Sequence, residues 1–230
     1  MNDLPLLSAS RLAALIRAGE ISATDAVEAH VAQIERVNPR LNAVVRTRFD
    51  EARAEAGRAD ELRARARAPR TSSVHGAPCT IKECFALTGM PNASGLVARR
   101  NVVSERDATA VARFAPRARS RSASPTRPYL HVDGRRTTGS HTVPTTAADP
   151  DRIVGGSSGG EGAIVGAGGS PLGLGLDVGG SIRGPCVLQR RVRPQADRRH
   201  GARDRAAPDR RGCGAALLDD RPRPRGARRT

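Results

Sequence analysis

Residues 155–169 read GGSSGGEGAIVGAGG, and GLDVGGSIR follows at 175–183. Two adjacent serines, Ser157 and Ser158, sit between glycine pairs, and a third, Ser181, follows another pair. A serine hydroxyl attacks a carbonyl only when a neighbouring group takes its proton. A single lysine, Lys82, is the one cationic side chain of the sequence able to act as a base, since the remaining 38 of the 39 Lys and Arg residues are arginines. Lysine accepts a proton only as the neutral amine, so it must lie buried, away from carboxylates and water. A second hydroxyl between nucleophile and base can relay the proton, because it both donates and accepts. Glycines complete the set: they leave backbone N–H groups open to a developing oxyanion and ease tight turns.

The same residues admit other readings. A glycine-serine tract is often a flexible linker, but this one is threaded with Ile164, Val165, Leu172, Leu174 and Val178. A phosphate-cradling loop would need GK[ST] or a clean GxGxxG after a strand, and neither is present. Lys82 alone would default to a solvated surface residue. Its being the only lysine in an arginine-rich chain argues for a specific use.

The elements that must position these groups are read from periodicity. Residues 8–18, SASRLAALIRA, predict a helix capped by Ser8 and ended by Gly19. SATD at 22–25 is a capping-box pattern that opens a second helix, with Val27, Val31, Ile34 and Val37 on one face and Asn38-Pro39 as its stop. A third helix is predicted over 49–67. Residues 75–95, HGAPCTIKECFALTGMPNASG, read as a strand feeding loops, where catalytic groups are commonly mounted. A helix is expected again over 96–113. Residues 114–150 and 184–230 show neither period and read as disordered on composition.

The formal charge of +16 divides as +4 over residues 1–113, +4 over 114–150, −1 over 151–183 and +9 over 184–230. A basic nucleic-acid-binding module is one reading of such a tail. With 2% aromatic residues and no Trp, the chain offers few rings to stack on bases. Cys79, Cys84, Cys186 and Cys213 form no CxxC pair and no metal-ligand spacing with the histidines, so no metal is expected and the thiols read as buried or idle. No apolar run reaches the length of a membrane span and no signal core is visible, which reads as a cytoplasmic protein.

The segments GGSSGGEGAIVGAGGSPLGLGLDVGGSIR and HGAPCTIKECFALTG resemble the amidase signature family, with wording similar to its fatty acid amide hydrolase branch. The resemblance covers 71–95 and 151–183 closely and 1–113 loosely. It implies an α/β fold, an α/β/α domain around a central mixed sheet, incomplete in this chain, and a small-molecule carboxamide as substrate, with no cofactor. It also implies a Ser-Ser-Lys triad: Ser181 as nucleophile, Ser157 as bridging serine on a cis peptide, Lys82 as base. The backbone N–H groups of Val178, Gly179, Gly180 and Ser181 would then form the oxyanion hole, with Ser158, Asp177 and Arg183 as supports. One departure is Leu176, where the family usually has a small hydroxyl residue.

After Arg183 the family continues with an apolar segment and a glycine-lysine-proline element, whereas this chain gives GPCVLQRRVRPQADRRHG. Back-translated with GC-rich codons and shifted by one nucleotide, that string permits ARASFNGVFGHKPTGG. Similar shifts permit family-like text within 114 to about 148. The expectation is one partial domain: helices over 1–70, the lysine segment over 71–113, the serine-glycine signature over 151–183, and out-of-frame stretches at 114–150 and 184–230. An active amidase, an inactive product of the same ancestry and a nucleic-acid binder all stay open on the sequence.

Overall fold

The structure is a computed structural model that describes residues 3–65, 74–94, 96–114, 129–132, 154–188, 193–196 and 214–219. Helix α1, Ala9–Ala18, begins where Ser8 accepts the Arg11 N–H and ends at Gly19 with φ +78°. Helix α2, Ala23–Leu41, opens on the expected capping box between Ser22 and Asp25. Its first-turn amides gain a second anchor, because Asp60 of α3, Phe49–Arg65, accepts from Ala23 N at 2.7 Å and Thr24 N at 3.1 Å. Val27, Val31 and Ile34 are buried as the spacing predicts.

Two helix expectations are corrected. Helix α2 runs through Pro39 to Leu41 rather than stopping before it. A proline this close to the end removes one intrahelical donor and little else. Asn38 organises the exit: its carbonyl accepts Asn42 N–H at 2.7 Å, and its Oδ1 accepts from Ala43 N at 2.9 Å and Val44 N at 2.8 Å. Over 96–113 the structure has a short 3-10 turn, Val97–Arg99, and only a six-residue helix α4, Thr109–Phe114. Between them Val103 bridges to Pro91, and Asp107 ties the segment back by accepting from Thr88 N at 2.8 Å.

The strands are β1, Cys79–Lys82; β2, Tyr129–Val132; β3, Leu172–Asp177; β4, Arg193–Ala196; and β5, Gly214–Asp219. They form one sheet in the order β2-β1-β3-β5-β4. β1 is parallel to β2 and β3, while β5 is antiparallel to β3 and β4. The α/β class and the mixed sheet are therefore as expected. Strands β2, β4 and β5 lie inside 114–150 and 184–230, so the expectation that those stretches lack regular structure is corrected at 129–132, 193–196 and 214–219. Main-chain pairing of β2 with β1, of β5 with β3 and of β4 with β5 supplies order there that no side-chain period announces. The rest of both stretches lies outside the described residues.

Helix α5, Gly159–Gly166, has glycine at four of its eight positions, a poor intrinsic helix former. Tertiary packing holds it: every residue from Gly159 to Val165 is buried. One apolar cluster joins Leu12 and Ile16 of α1, Val27 and Ile34 of α2, Ile81, Ile164, Leu174 and Ile182. Alanines fill much of the remainder, including Ala23, Ala26, Ala52, Ala56 and Ala59, all fully buried. Small residues let helix backbones approach closely, which is how a core forms with so few rings.

Candidate active site

Lys82 ends β1, where side chains alternate between faces, so Thr80 and Lys82 point one way and Ile81 the other. That face meets the loop leading into α5. Lys82 is 1% exposed, and its Nζ donates to Ser157 Oγ at 2.6 Å and to Ser158 Oγ at 3.1 Å. The Gly156–Ser157 peptide bond is cis. The lone lysine of the sequence is thus buried against two adjacent serines.

The two serines differ in what their hydroxyls have left to do. Ser158 stands at the N-cap of α5 yet makes no side-chain cap. Its Oγ instead donates to Leu176 O at 3.2 Å and accepts from Leu176 N at 3.2 Å as well as from Lys82. One donor and two acceptor positions are all a hydroxyl has, so Ser158 is saturated. Ser157 accepts from Lys82 and keeps its own O–H uncommitted among the described residues. The Ser158 bonds use the main chain of Leu176, so the departure at that position leaves them intact.

Ser181 is tied to the same place through the backbone, where Ser158 N–H donates to Ser181 O at 2.9 Å. The loop that carries it is built on Asp177 at the end of β3. The Asp177 carboxylate accepts from Gly180 N at 2.8 Å, Ile182 N and Arg183 N at 3.1 Å, and the Arg183 guanidinium at 3.0 and 3.1 Å. The Arg183 side chain, then the backbone donors, hold the carboxyl well below the usual carboxylate range, against the opposing effect of burial. Arg183 is 67% exposed, so the ion pair itself adds little and the backbone donors define the turn. Gly180 takes φ +102° there, a conformation suited to glycine. Its N–H is spent on Asp177, whereas those of Val178, Gly179 and Ser181 donate to no acceptor among the described residues.

All nine residues singled out in the sequence therefore fall in one neighbourhood, at the ends of β1 and β3 and the start of α5. Three further buried polar residues lie on or beside these elements. Thr80 Oγ1 donates to the Glu161 carboxylate, and Glu83, beside Lys82, accepts from the backbone amides of Ala93 and Ser94. Alternation along β1 points to Thr80, but Glu161 is reached only through three-dimensional contact. Cys79, Cys84 and Cys186 are buried; Cys213 lies outside the described residues. Among the described residues no cluster of His, Cys, Asp or Glu is arranged to hold a metal ion, and no helix is long and apolar enough to cross a membrane.

The family model described as Amidase matches residues 25–192. The chain is 40% identical over 205 residues to fatty-acid amide hydrolase 2-A of Danio rerio, covering 81% of the chain and 36% of that relative. It is 38% identical over 179 residues to an indoleacetamide hydrolase of Bradyrhizobium diazoefficiens, covering 78% of the chain and 34% of that relative. A solved bacterial aryl acylamidase of the amidase signature enzymes superposes with a TM-score of 0.79 over 93% of the chain and 45% of its own, at 23% identity, a likeness of fold. The chain spans about a third of the length of the curated relatives it matches. On the family match across most of the chain, the chain belongs to the amidase family.

Proposed function

We propose that the chain carries the catalytic centre of an amidase that cleaves a carboxamide C–N bond through an acyl-serine intermediate. Ser181 Oγ attacks the carbonyl carbon while its proton passes to Ser157, whose own proton passes to neutral Lys82. The oxyanion is received by the backbone N–H groups of Val178, Gly179 and Ser181, with Gly180 N–H holding the turn on Asp177. Collapse breaks the C–N bond, and the relay returns the proton to the departing amine. Water, deprotonated through the same relay, then releases the acid. The scheme uses no metal or organic cofactor.

The observation that carries this reading is the pairing of buried Lys82 with Ser157 at 2.6 Å beside a saturated Ser158. The named activities of the two relatives favour amides of apolar acids as substrate class. Amine release from oleamide, indole-3-acetamide and glutamine, measured for the chain and for Ser181→Ala, tests it. Release lost in the variant supports the reading, and release indifferent to Ser181→Ala overturns it.

A second reading, an inactive product of the same ancestry, is favoured by exposure around the site: Val178 is 57% and Val187 76% exposed. Lys82 needs a dry surround to stay neutral. Out-of-frame translation of 114 to about 148 and 184–230 would account for missing cover. Absence of amine release from a folded chain favours this reading. Most of the arginine-rich tail on which a nucleic-acid role would rest lies outside the described residues.

A further inference from the structure

Glu161 is fully buried, four residues past Ser157 and three past Ser158, so it lies one turn into α5. Thr80, which donates to it, lies two residues before Lys82 on the same face of β1. The strand and the helix are thus joined by two polar rungs, Thr80 to Glu161 and Lys82 to the serine pair. Two strand residues advance about 6.6 Å and one helical turn about 5.4 Å, so fixing one rung sets the other to within roughly 1 Å. The sheet makes room for the first rung. Gly173 of β3 pairs in register with Thr80, and a Cβ there would lie 2.8 Å from Thr80 Oγ1 and closer still to Glu161 Oε2.

We infer that Glu161 is a positioning residue, which through Thr80 holds α5 in register on β1 so that Ser157 and Ser158 meet Lys82. The inference rests on the Ser-Ser-Lys reading above, but its test does not need turnover. Lys82 is the only lysine of the chain, so acylation of its amine by a water-soluble N-hydroxysuccinimide ester can be followed by peptide mass spectrometry without interference from another lysine. The buried Cys79 thiol, on the same strand, serves as the control for general opening.

In the native chain Lys82 is protected. Glu161→Ala and Thr80→Val raise its acylation rate about tenfold, as expected for release of one buried hydrogen bond, while Cys79 stays protected. Glu161→Gln, whose amide oxygen still accepts from Thr80, keeps the native rate. Should Glu161→Ala fail to fold, Thr80→Val, which keeps the side-chain shape, decides the matter. Unchanged protection of Lys82 in folded Thr80→Val, or equal loss in Glu161→Gln and Glu161→Ala, overturns the inference. Fluorophosphonate labelling of Ser181 in the same proteins separates the two claims: Lys82 protection that depends on Glu161 without labelling sinks the catalytic reading alone, and labelling indifferent to Thr80→Val sinks the positioning role alone.

Discussion

Ser157 and Ser158 are adjacent and chemically identical, and their separate duties follow from hydrogen-bond bookkeeping. Ser158 ties Leu176 of β3 to Lys82 with every hydroxyl position used, whereas Ser157 has a proton to give. Removing the Ser158 hydroxyl strips a partner from a buried lysine and a strand amide; removing that of Ser157 takes away the proton the proposed relay needs. Ser158→Ala is expected to lower the unfolding free energy by about 1–3 kcal/mol in urea titration. Ser157→Ala is expected to leave stability within about 1 kcal/mol while cutting the acylation rate of Ser181 by roughly 10²–10⁴. Similar stability losses with similar residual rates would mean the two roles are not divided this way.

At the scale of elements, α1 and the start of α2 were legible because their signals are local, whereas the helix expected over 96–113 reduces to a 3-10 turn and the short α4. Ser8, Gly19 and the Ser22–Asp25 box act within one turn, and the structure uses each as the pattern predicts. The end of α2 was not legible, since what carries it past Pro39 is the side chain of Asn38 reaching Ala43 and Val44. Nor was the clamp on its start, because Asp60 lies 37 residues from Ala23 in sequence. That clamp makes a contrast between two charged residues on the helix pair. Asp60→Ala is expected to cost about 2 kcal/mol, since it strips partners from the Ala23 and Thr24 amides. Arg53→Ala, which removes an exposed ion pair to Glu28, is expected to change the urea midpoint little. Strands β4 and β5 were missed for a related reason: pairing partners on other strands, not a period within the segment, define them.

For the whole molecule, the candidate site was legible in its residue types and order, and its α/β sheet followed with it. The two-rung docking of α5 on β1 was not, because Glu161 and Thr80 are 81 residues apart. A test of the assembled core comes from His30. Its Nδ1 bonds Ala26 O at 2.7 Å, and burial pushes the imidazole down to about 4 from an ordinary 6.5. A buried neutral histidine binds its proton less readily than the unfolded chain does. Its contribution is therefore complete above about pH 6.5 and lost as pH falls toward 4, a loss of roughly 3 kcal/mol. Unfolding free energies measured between pH 7 and 4 should fall more steeply for the native chain than for His30→Gln. Parallel slopes would mean that His30 is not held buried and neutral.

The claim on which the rest depends is that Lys82, Ser157 and Ser181 form one working site. Treating the purified chain with a fluorophosphonate and locating the adduct by mass spectrometry measures this directly. The account predicts a phosphonyl group on Ser181 that is lost in Lys82→Ala and in Ser157→Ala. Labelling of Ser181 that persists in both variants, or no labelling of a folded chain, would contradict it.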